Sequence, residues 1–271
     1  MFTFIDTEKT LNDPIVFYTQ YTLLVLSPIL LITLLFKSAG YGRVSENVSS
    51  NSTIMVNDKW LWYSHMIETP FAIASIIYYI YNYENYSKTN IILLSMFVAH
   101  YFNRGFIYPF FARANNTPRT PIEVALFGIL FIVLNSILQS RSILFNSDYP
   151  DGYLTSYRFL IGLGVFIIGL RINTHSDYFL LVLKNENKGY VIPQGYLFSY
   201  ITCPNYFGEL IEWFGFYICT QTTASLVFFL FSFANLVPKA RDNYKWYINK
   251  FGNEFPKERK ILLDFENYSS T

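Results

Sequence analysis

Long apolar runs separated by short polar connections set the pattern of the chain. A bilayer core needs about 20 mostly apolar residues per helix. Residues 15–36 meet that length with no charge, and residues 60–81 meet it with His65 and Glu68 inside. Residues 91–111 carry His100 and Arg104, and residues 124–138 form a shorter, uncharged run. Residues 157–183 begin apolar and end with Arg171, Asn173, His175 and Asp177. Residues 198–237 are long enough for two helices, with a break expected near Thr220-Gln221-Thr222-Thr223. The pattern predicts an all-α, multi-pass membrane bundle of about seven transmembrane helices. No repeat of 20–50 residues is visible, so a solenoid or propeller is not expected.

Composition agrees with lipid as the solvent. The 271 residues are 52% hydrophobic, 20% aromatic and only 14% charged, against about 25% charged in soluble domains. Mean hydropathy is +0.25. A net charge of +1, with basic residues clustered only in the C-terminal tail, argues against nucleic-acid binding. Cys203 and Cys219 lack metal-site or redox spacing and read as buried free thiols. The first residues lack the positive region of a cleaved signal peptide, so residues 15–36 are expected to remain as a span.

Lysine and arginine set the orientation. With the N-terminus outside, the cytoplasmic loops and the C-terminal tail hold Lys37, Arg43, Lys59, Arg113, Arg119, Lys184, Lys188, Lys239, Arg241, Lys245, Lys250, Lys257, Arg259 and Lys260. The outer side holds only Lys9, Lys88, Arg141 and Arg158. That asymmetry follows the positive-inside rule and predicts a cytosolic C-terminus. The sequons at Asn47 and Asn51 then fall on the cytoplasmic side and carry no glycan, while Asn85 lies outside but close to the membrane.

Ionisable residues inside spans are costly and mark sites. Glu68 lies where an aliphatic residue is the default. As a neutral acid it donates a hydrogen bond to a carbonyl; as a structural residue it pairs with Arg104 or His100. On a helix His100 and Arg104 share one face at i and i+4. Tyr101, alone an ordinary structural tyrosine, becomes a second donor beside an embedded acid. Two donors on one carbonyl oxygen stabilise the enolate formed when hydride adds to the β-carbon of an enone.

Asn173 and Asp177, again i and i+4, suit a carboxamide or ribose hydroxyls, or else a solvated helix end. Lys184 and Lys188 precede a shaped Gly189-to-Gly195 loop and can meet phosphate. Pro204 can open a helix on which Asn205, Glu209 and Glu212 form one polar stripe. Such a stripe on an apolar helix calls for a polar ligand or a buried network.

These pieces resemble the steroid 5α-reductase (3-oxo-5α-steroid 4-dehydrogenase) family. The matching residues are Gly40-Tyr41-Gly42-Arg43, Glu68-Thr69-Pro70, His100 to Arg104 with Tyr108, Asn173 to Asp177, Gly189-Tyr190, Asn205 to Glu209 with Glu212-Trp213, and Lys245-Trp246-Tyr247 to Lys260. The resemblance runs from about residue 40 to the C-terminus. It implies a single seven-helix reductase domain over residues 1–271, with residues 238–271 a cytosolic tail near the cofactor. It implies NADPH, a steroid or sterol substrate reduced at its Δ4 bond, and residence in the endoplasmic reticulum. By the same resemblance Glu68 and Tyr101 engage the 3-keto oxygen. Asn173, Asp177, Lys184, Tyr190, Asn205, Glu209 and Tyr247 match cofactor-contacting positions.

The chain departs from the family at Asn115 and Asn243, where some members carry basic residues, and in a loop one residue shorter between Lys184 and Tyr190. No GxGxxG fingerprint follows a strand, so any dinucleotide is held within the bundle. The three histidines lie on separate segments, and no metal site is expected. Polyprenol and enoyl reductases, a membrane methyltransferase of related fold, and a transporter are the alternative readings. The transporter lacks the internal symmetry common to that class.

Overall fold

The structure is a computed structural model that describes residues 7–36, 54–57, 66, 68–84, 86–111, 119–187 and 190–262. The Glu68 side chain, His65, the sequons at Asn47, Asn51 and Asn85, residues 40–43, Asn115, Lys188 and Gly189 lie outside the described residues.

The chain opens with a short helix α1 (Thr7–Asn12) and the first apolar helix, α2 (Pro14–Phe36). Asp13 caps α2: its Oδ1 accepts from the amides of Ile15 and Val16 at 3.1 and 3.3 Å. Helix α3 (Glu68–Asn82) follows, then α4 (Lys88–Phe102), which passes through a π-turn (Asn103–Ile107) into α5 (Tyr108–Phe111). Next come α6 (Ile122–Leu144), α7 (Tyr157–Glu186), α8 (Pro204–Thr220) and α9 (Thr223–Phe251). Ser87, Ser156 and Thr222 cap α4, α7 and α9 through their hydroxyls. A short antiparallel pair, β1 (Met55–Asn57) with β2 (Arg119–Pro121), is the one ladder among the described residues.

Among the described residues five helices are long and apolar enough to cross a membrane: Pro14–Phe36, Lys88–Phe111, Ile122–Leu144, Tyr157–Glu186 and Thr223–Glu254. The other two expected spans correspond to α3, 15 residues, and α8, 17 residues. Two boundaries differ from the sequence expectation. Helix α6 runs on past Leu138 to Leu144, because Gln139, Ser140 and Ser142 are buried against neighbouring helices rather than ending the span. Helix α9 continues through Pro238 to Phe251, well past residue 237. The break between α8 and α9 falls where expected, with Gln221 in the left-handed region at φ 50°.

Two antiparallel helices, α7 and α8, form the tightest seam. A Cβ on Gly169 would fall on the Glu212 backbone, one on Gly208 on the Asn173 backbone, and one on Gly215 on the Phe166 backbone. Small residues let membrane helices approach this closely. The seam brings Asn173 directly beside the first turns of α8. An aromatic core of Phe97, Tyr101, Trp213, Phe216 and Phe228 joins α4, α8 and α9. Outward-facing Ile29, Ile32, Ile77, Leu126, Leu130, Ile161 and Ile168 are exposed, as lipid-facing positions require. After α9 the chain bonds back to the loop before α8. The Thr202 amide donates to the Lys260 carbonyl, and the Lys260 amide to the Tyr200 carbonyl, each at 2.9 Å. Cys203 and Cys219 are both buried and free.

Candidate active site

The site begins where α4 loses its regular pitch. Pro109 has no amide hydrogen and cannot continue the α pattern. The preceding turn widens into the π-turn, closed by the Tyr108 amide donating to the Asn103 carbonyl. Such widened turns often mark functional positions. On either side of its start, His100 and Arg104 reach different helices.

His100 is buried, and its Nδ1 lies 2.8 Å from Oε1 of the fully buried Glu212 on α8. Arg104 donates from Nη1 to Asp177 Oδ2 on α7 at 2.6 Å, with its guanidinium 5.5 Å from the Tyr108 ring centre. The pairing of Glu68 with one of these side chains, the structural reading of that acid, therefore has a competitor in each case. Both are engaged by carboxylates elsewhere.

Asp177 accepts a second bond, from Asn205 Nδ2 at 2.9 Å. Asn173 Nδ2 donates to the Asn205 carbonyl at 3.0 Å and reaches Glu209 Oε2 at 3.5 Å. The i, i+4 pair on α7 thus meets the i, i+4 pair on α8 across the glycine seam. Asn173 and Asp177 form the buried layer, with Asn205 and Glu209 half-buried above them. The stripe read on α8 divides: Asn205 and Glu209 face α7, and Glu212 faces α4. Tyr178 donates to Asn103 Oδ1 at 2.9 Å and braces the π-turn.

A second group lies where the loop after α7 meets the end of α9. Lys184 sits 5.0 Å from the centre of the Tyr190 ring, and Lys250 lies over both Tyr190 and Trp246 at 5.4 and 4.8 Å. Tyr190 packs edge-on against Trp246 at 5.1 Å, and Trp246 against Tyr247 at 5.2 Å. Tyr247 is buried and stacked on Phe255 at 5.3 Å.

Tyr101 is buried in the aromatic core. Phe97 lies 4.6 Å from its ring centre, and Trp213 stacks on it at 5.8 Å and 25°. The structure therefore gathers Asn173, Asp177, Asn205 and Glu209 into one constellation with Arg104. Lys184, Tyr190 and Tyr247 form a second, and Tyr101 stands in the core beside His100. Sequence reading missed the contacts His100–Glu212, Arg104–Asp177 and Tyr178–Asn103, and gave Trp213 and Lys250 no place in the site. The two basic residues and the acids inside spans announced that pairs exist, but helical spacing along one segment does not say which helix supplies each partner.

The constellation presents amide donors and carboxylate acceptors at a half-open edge over a buried layer. That donor set complements a carboxamide and vicinal hydroxyls. The flanking lysines and aromatic rings suit phosphate and a planar base.

Comparison with known proteins points the same way. The family model for 3-oxo-5-alpha-steroid 4-dehydrogenase matches residues 118–265. The chain is 36% identical over 254 residues to steroid 5-alpha-reductase DET2 of Arabidopsis thaliana, covering 92% of this chain and 95% of that one. It is 34% identical over 230 residues to human 3-oxo-5-alpha-steroid 4-dehydrogenase 2, covering 84% and 88%. It is also 41% identical over 180 residues to human 3-oxo-5-alpha-steroid 4-dehydrogenase 1, covering 66% and 68%. With the polar constellation lying inside the matched region, the chain belongs to the 3-oxo-5α-steroid 4-dehydrogenase family of oxidoreductases acting on CH–CH bonds.

Proposed function

We propose that this chain reduces the Δ4 double bond of a 3-oxo steroid or sterol, with NADPH as the hydride donor. The observation that carries the reading is the α7–α8 constellation of Asn173, Asp177, Asn205 and Glu209. It complements a nicotinamide dinucleotide, in a chain similar along most of its length to a steroid 5α-reductase.

Asn173 and Asn205 offer amide groups to the carboxamide and ribose, and Asp177 and Glu209 accept from hydroxyls. Arg104 holds Asp177 in place, so the buried carboxylate keeps one fixed orientation. Lys184, Tyr190 and Tyr247 serve the phosphates and adenine at the cytosolic end. Bound there, NADPH would supply the hydride that adds to the β-carbon of the enone. The negative charge that develops on the ketone oxygen is discharged when the α-carbon takes up a proton, which completes the saturated ketone. Glu68 and Tyr101 donate hydrogen bonds to that oxygen, where a dry site makes preorganised donors most effective. Tyr101, walled by Phe97 and Trp213, is shielded from bulk water. On this reading the protein lies in the endoplasmic reticulum membrane with its cofactor site facing the cytosol, which the lysine and arginine bias supports.

The test uses purified full-length protein in detergent, a Δ4-3-oxo steroid and NADPH, following cofactor oxidation and product. Wild type is expected to form the saturated ketone. Glu68→Gln and Tyr101→Phe each lower kcat by about 100-fold, the usual loss for one oxyanion donor, while NADP+ binding persists. Steroid-independent NADPH oxidation with no saturated product would overturn the proposed activity. Full turnover by Glu68→Ala would remove Glu68 from the mechanism.

A further inference from the structure

Two consecutive residues of α4, His100 and Tyr101, face two consecutive residues of α8, Glu212 and Trp213. The four close a ring of contacts. His100 Nδ1 and Glu212 Oε1 hydrogen-bond at 2.8 Å on one side. Trp213 stacks on Tyr101 at 5.8 Å and 25° on the other. The His100 ring closes the centre, edge-on to Tyr101 at 4.9 Å and 4.5 Å from Trp213. All four side chains are buried, with Glu212 at 0% exposure.

Stability alone does not account for this box. Glu212 Oε2 and the Trp213 indole nitrogen have no hydrogen-bond partner among the described residues. A buried polar pair left partly unsatisfied is commonly no better than a well-packed apolar pair of similar size. Its geometric effect is clear, however. The His100–Glu212 bond ties together the two helices that grip the Tyr101 ring. One of them, α8, also carries Asn205 and Glu209, so the bond couples the phenol to the polar constellation.

We propose that His100 and Glu212 are positioning residues, whose mutual hydrogen bond clamps the Tyr101 phenol so that its hydroxyl meets the substrate ketone. The inference rests on the proposed role of Tyr101 at that ketone. Charged groups near the box are Arg104, bonded to Asp177, and Glu209, one turn before Glu212 on α8. The bond itself, rather than a charge on Glu212, is what the clamp requires.

The experiment is a double-mutant cycle in the full-length enzyme, reading kcat, steroid KM and NADP+ affinity. Glu212→Leu and His100→Phe each break the bond, and Glu212→Gln keeps an acceptor for His100. Each is made in wild type and in Tyr101→Phe. The expected result is a kcat loss for Glu212→Leu approaching that of Tyr101→Phe, with NADP+ affinity within about threefold of wild type. Glu212→Gln should retain most of kcat. In the Tyr101→Phe background neither Glu212→Leu nor His100→Phe should lower kcat further, because no hydroxyl remains to position. Should Glu212→Leu fail to fold, His100→Phe carries the same prediction with a similar ring in place. Losses that add fully to that of Tyr101→Phe, or a Glu212→Gln kcat as low as that of Glu212→Leu, overturn the clamp alone. Full kcat in Tyr101→Phe overturns the Tyr101 role, and the clamp with it.

Discussion

Arg104 sits four residues after His100, yet the two side chains reach different helices, because the π-turn and the packing of α7 separate their targets. Among the described residues, removing the guanidinium leaves the buried Asp177 with Asn205 as its one hydrogen-bond partner. A buried pair broken on one side costs about 3–5 kcal/mol, and Arg104 is about one-third exposed, so roughly 2 kcal/mol is expected here. Arg104→Ala should lower the melting temperature and weaken NADP+ binding by about tenfold, read by thermal shift with and without NADP+. Arg104→Lys, which keeps a single charged donor, should recover part of both. At this scale the sequence was informative about which positions are polar and silent about whom they meet. Asn173 with Asp177, and Asn205 with Glu209, were legible as faces, since the helical period alone defines a face. That the two faces meet required the tertiary fold.

Asp13 makes a second prediction about a single group, at the opposite end of the bundle. Burial pushes its carboxyl up. Bonds from Arg141, the Val16 amide and Asn146 outweigh that and hold it below the usual aspartate range. A depressed carboxylate contributes stability that is fully present above the ordinary aspartate pKa of about 4 and is lost as pH falls through its folded value. Melting temperature should therefore owe no pH dependence to Asp13 between pH 7 and 5, and should fall below pH 4. Asp13→Asn keeps the helix cap but loses the Arg141 ion pair. It should melt lower at neutral pH and show a shallower acid decline; an unchanged acid limb would assign that decline to other groups.

Among the elements, the α7–α8 seam decides whether the constellation can exist. Asn173 reaches the Asn205 carbonyl only because Gly208 lets the two backbones approach. Gly208→Ala places a methyl on the Asn173 backbone. It should destabilise the protein by about 1–3 kcal/mol and weaken NADP+ binding, because the helices must part. Gly164 lies on α7 as well, and a methyl there would meet nothing within 4 Å, so Gly164→Ala should leave binding unchanged and should not lower the melting temperature. Equal losses from the two substitutions would rule out close approach as the cause, since alanine is the better helix former at both positions. The seam was hidden in the sequence because glycine is frequent in membrane helices and its spacing on one helix does not name a partner. The α6 boundary was hidden for a related reason. Gln139 looked like an end, but it bonds Asn135 and the Ala224 carbonyl inside the bundle.

For the molecule as a whole, polar groups gather at two opposite ends, and the alternation of the helices fixes which belong together. One end holds Asp13 with Arg141 and Asn146, Lys9 with Asp148, and Arg158 with Gln221. These lie at the start of α2, the end of α6, the start of α7 and the end of α8, as up-and-down packing requires. The other end holds Arg104, Asp177, Asn205, Lys184 and Lys250, at the end of α4, the second half of α7, the start of α8 and the end of α9. The topology proposed from the lysine and arginine bias puts this second end in the cytosol, where the proposed cofactor would reach it. Single cysteines test that placement, because native Cys203 and Cys219 are buried and should give little background. Asp151 and Lys257 are both exposed and stand at opposite ends. In sealed vesicles with the cytosolic face outward, Lys257→Cys should react with a membrane-impermeant maleimide, and Asp151→Cys only after permeabilisation. The reverse pattern would put the α7–α8 constellation on the opposite side of the membrane, and the proposed topology would fall.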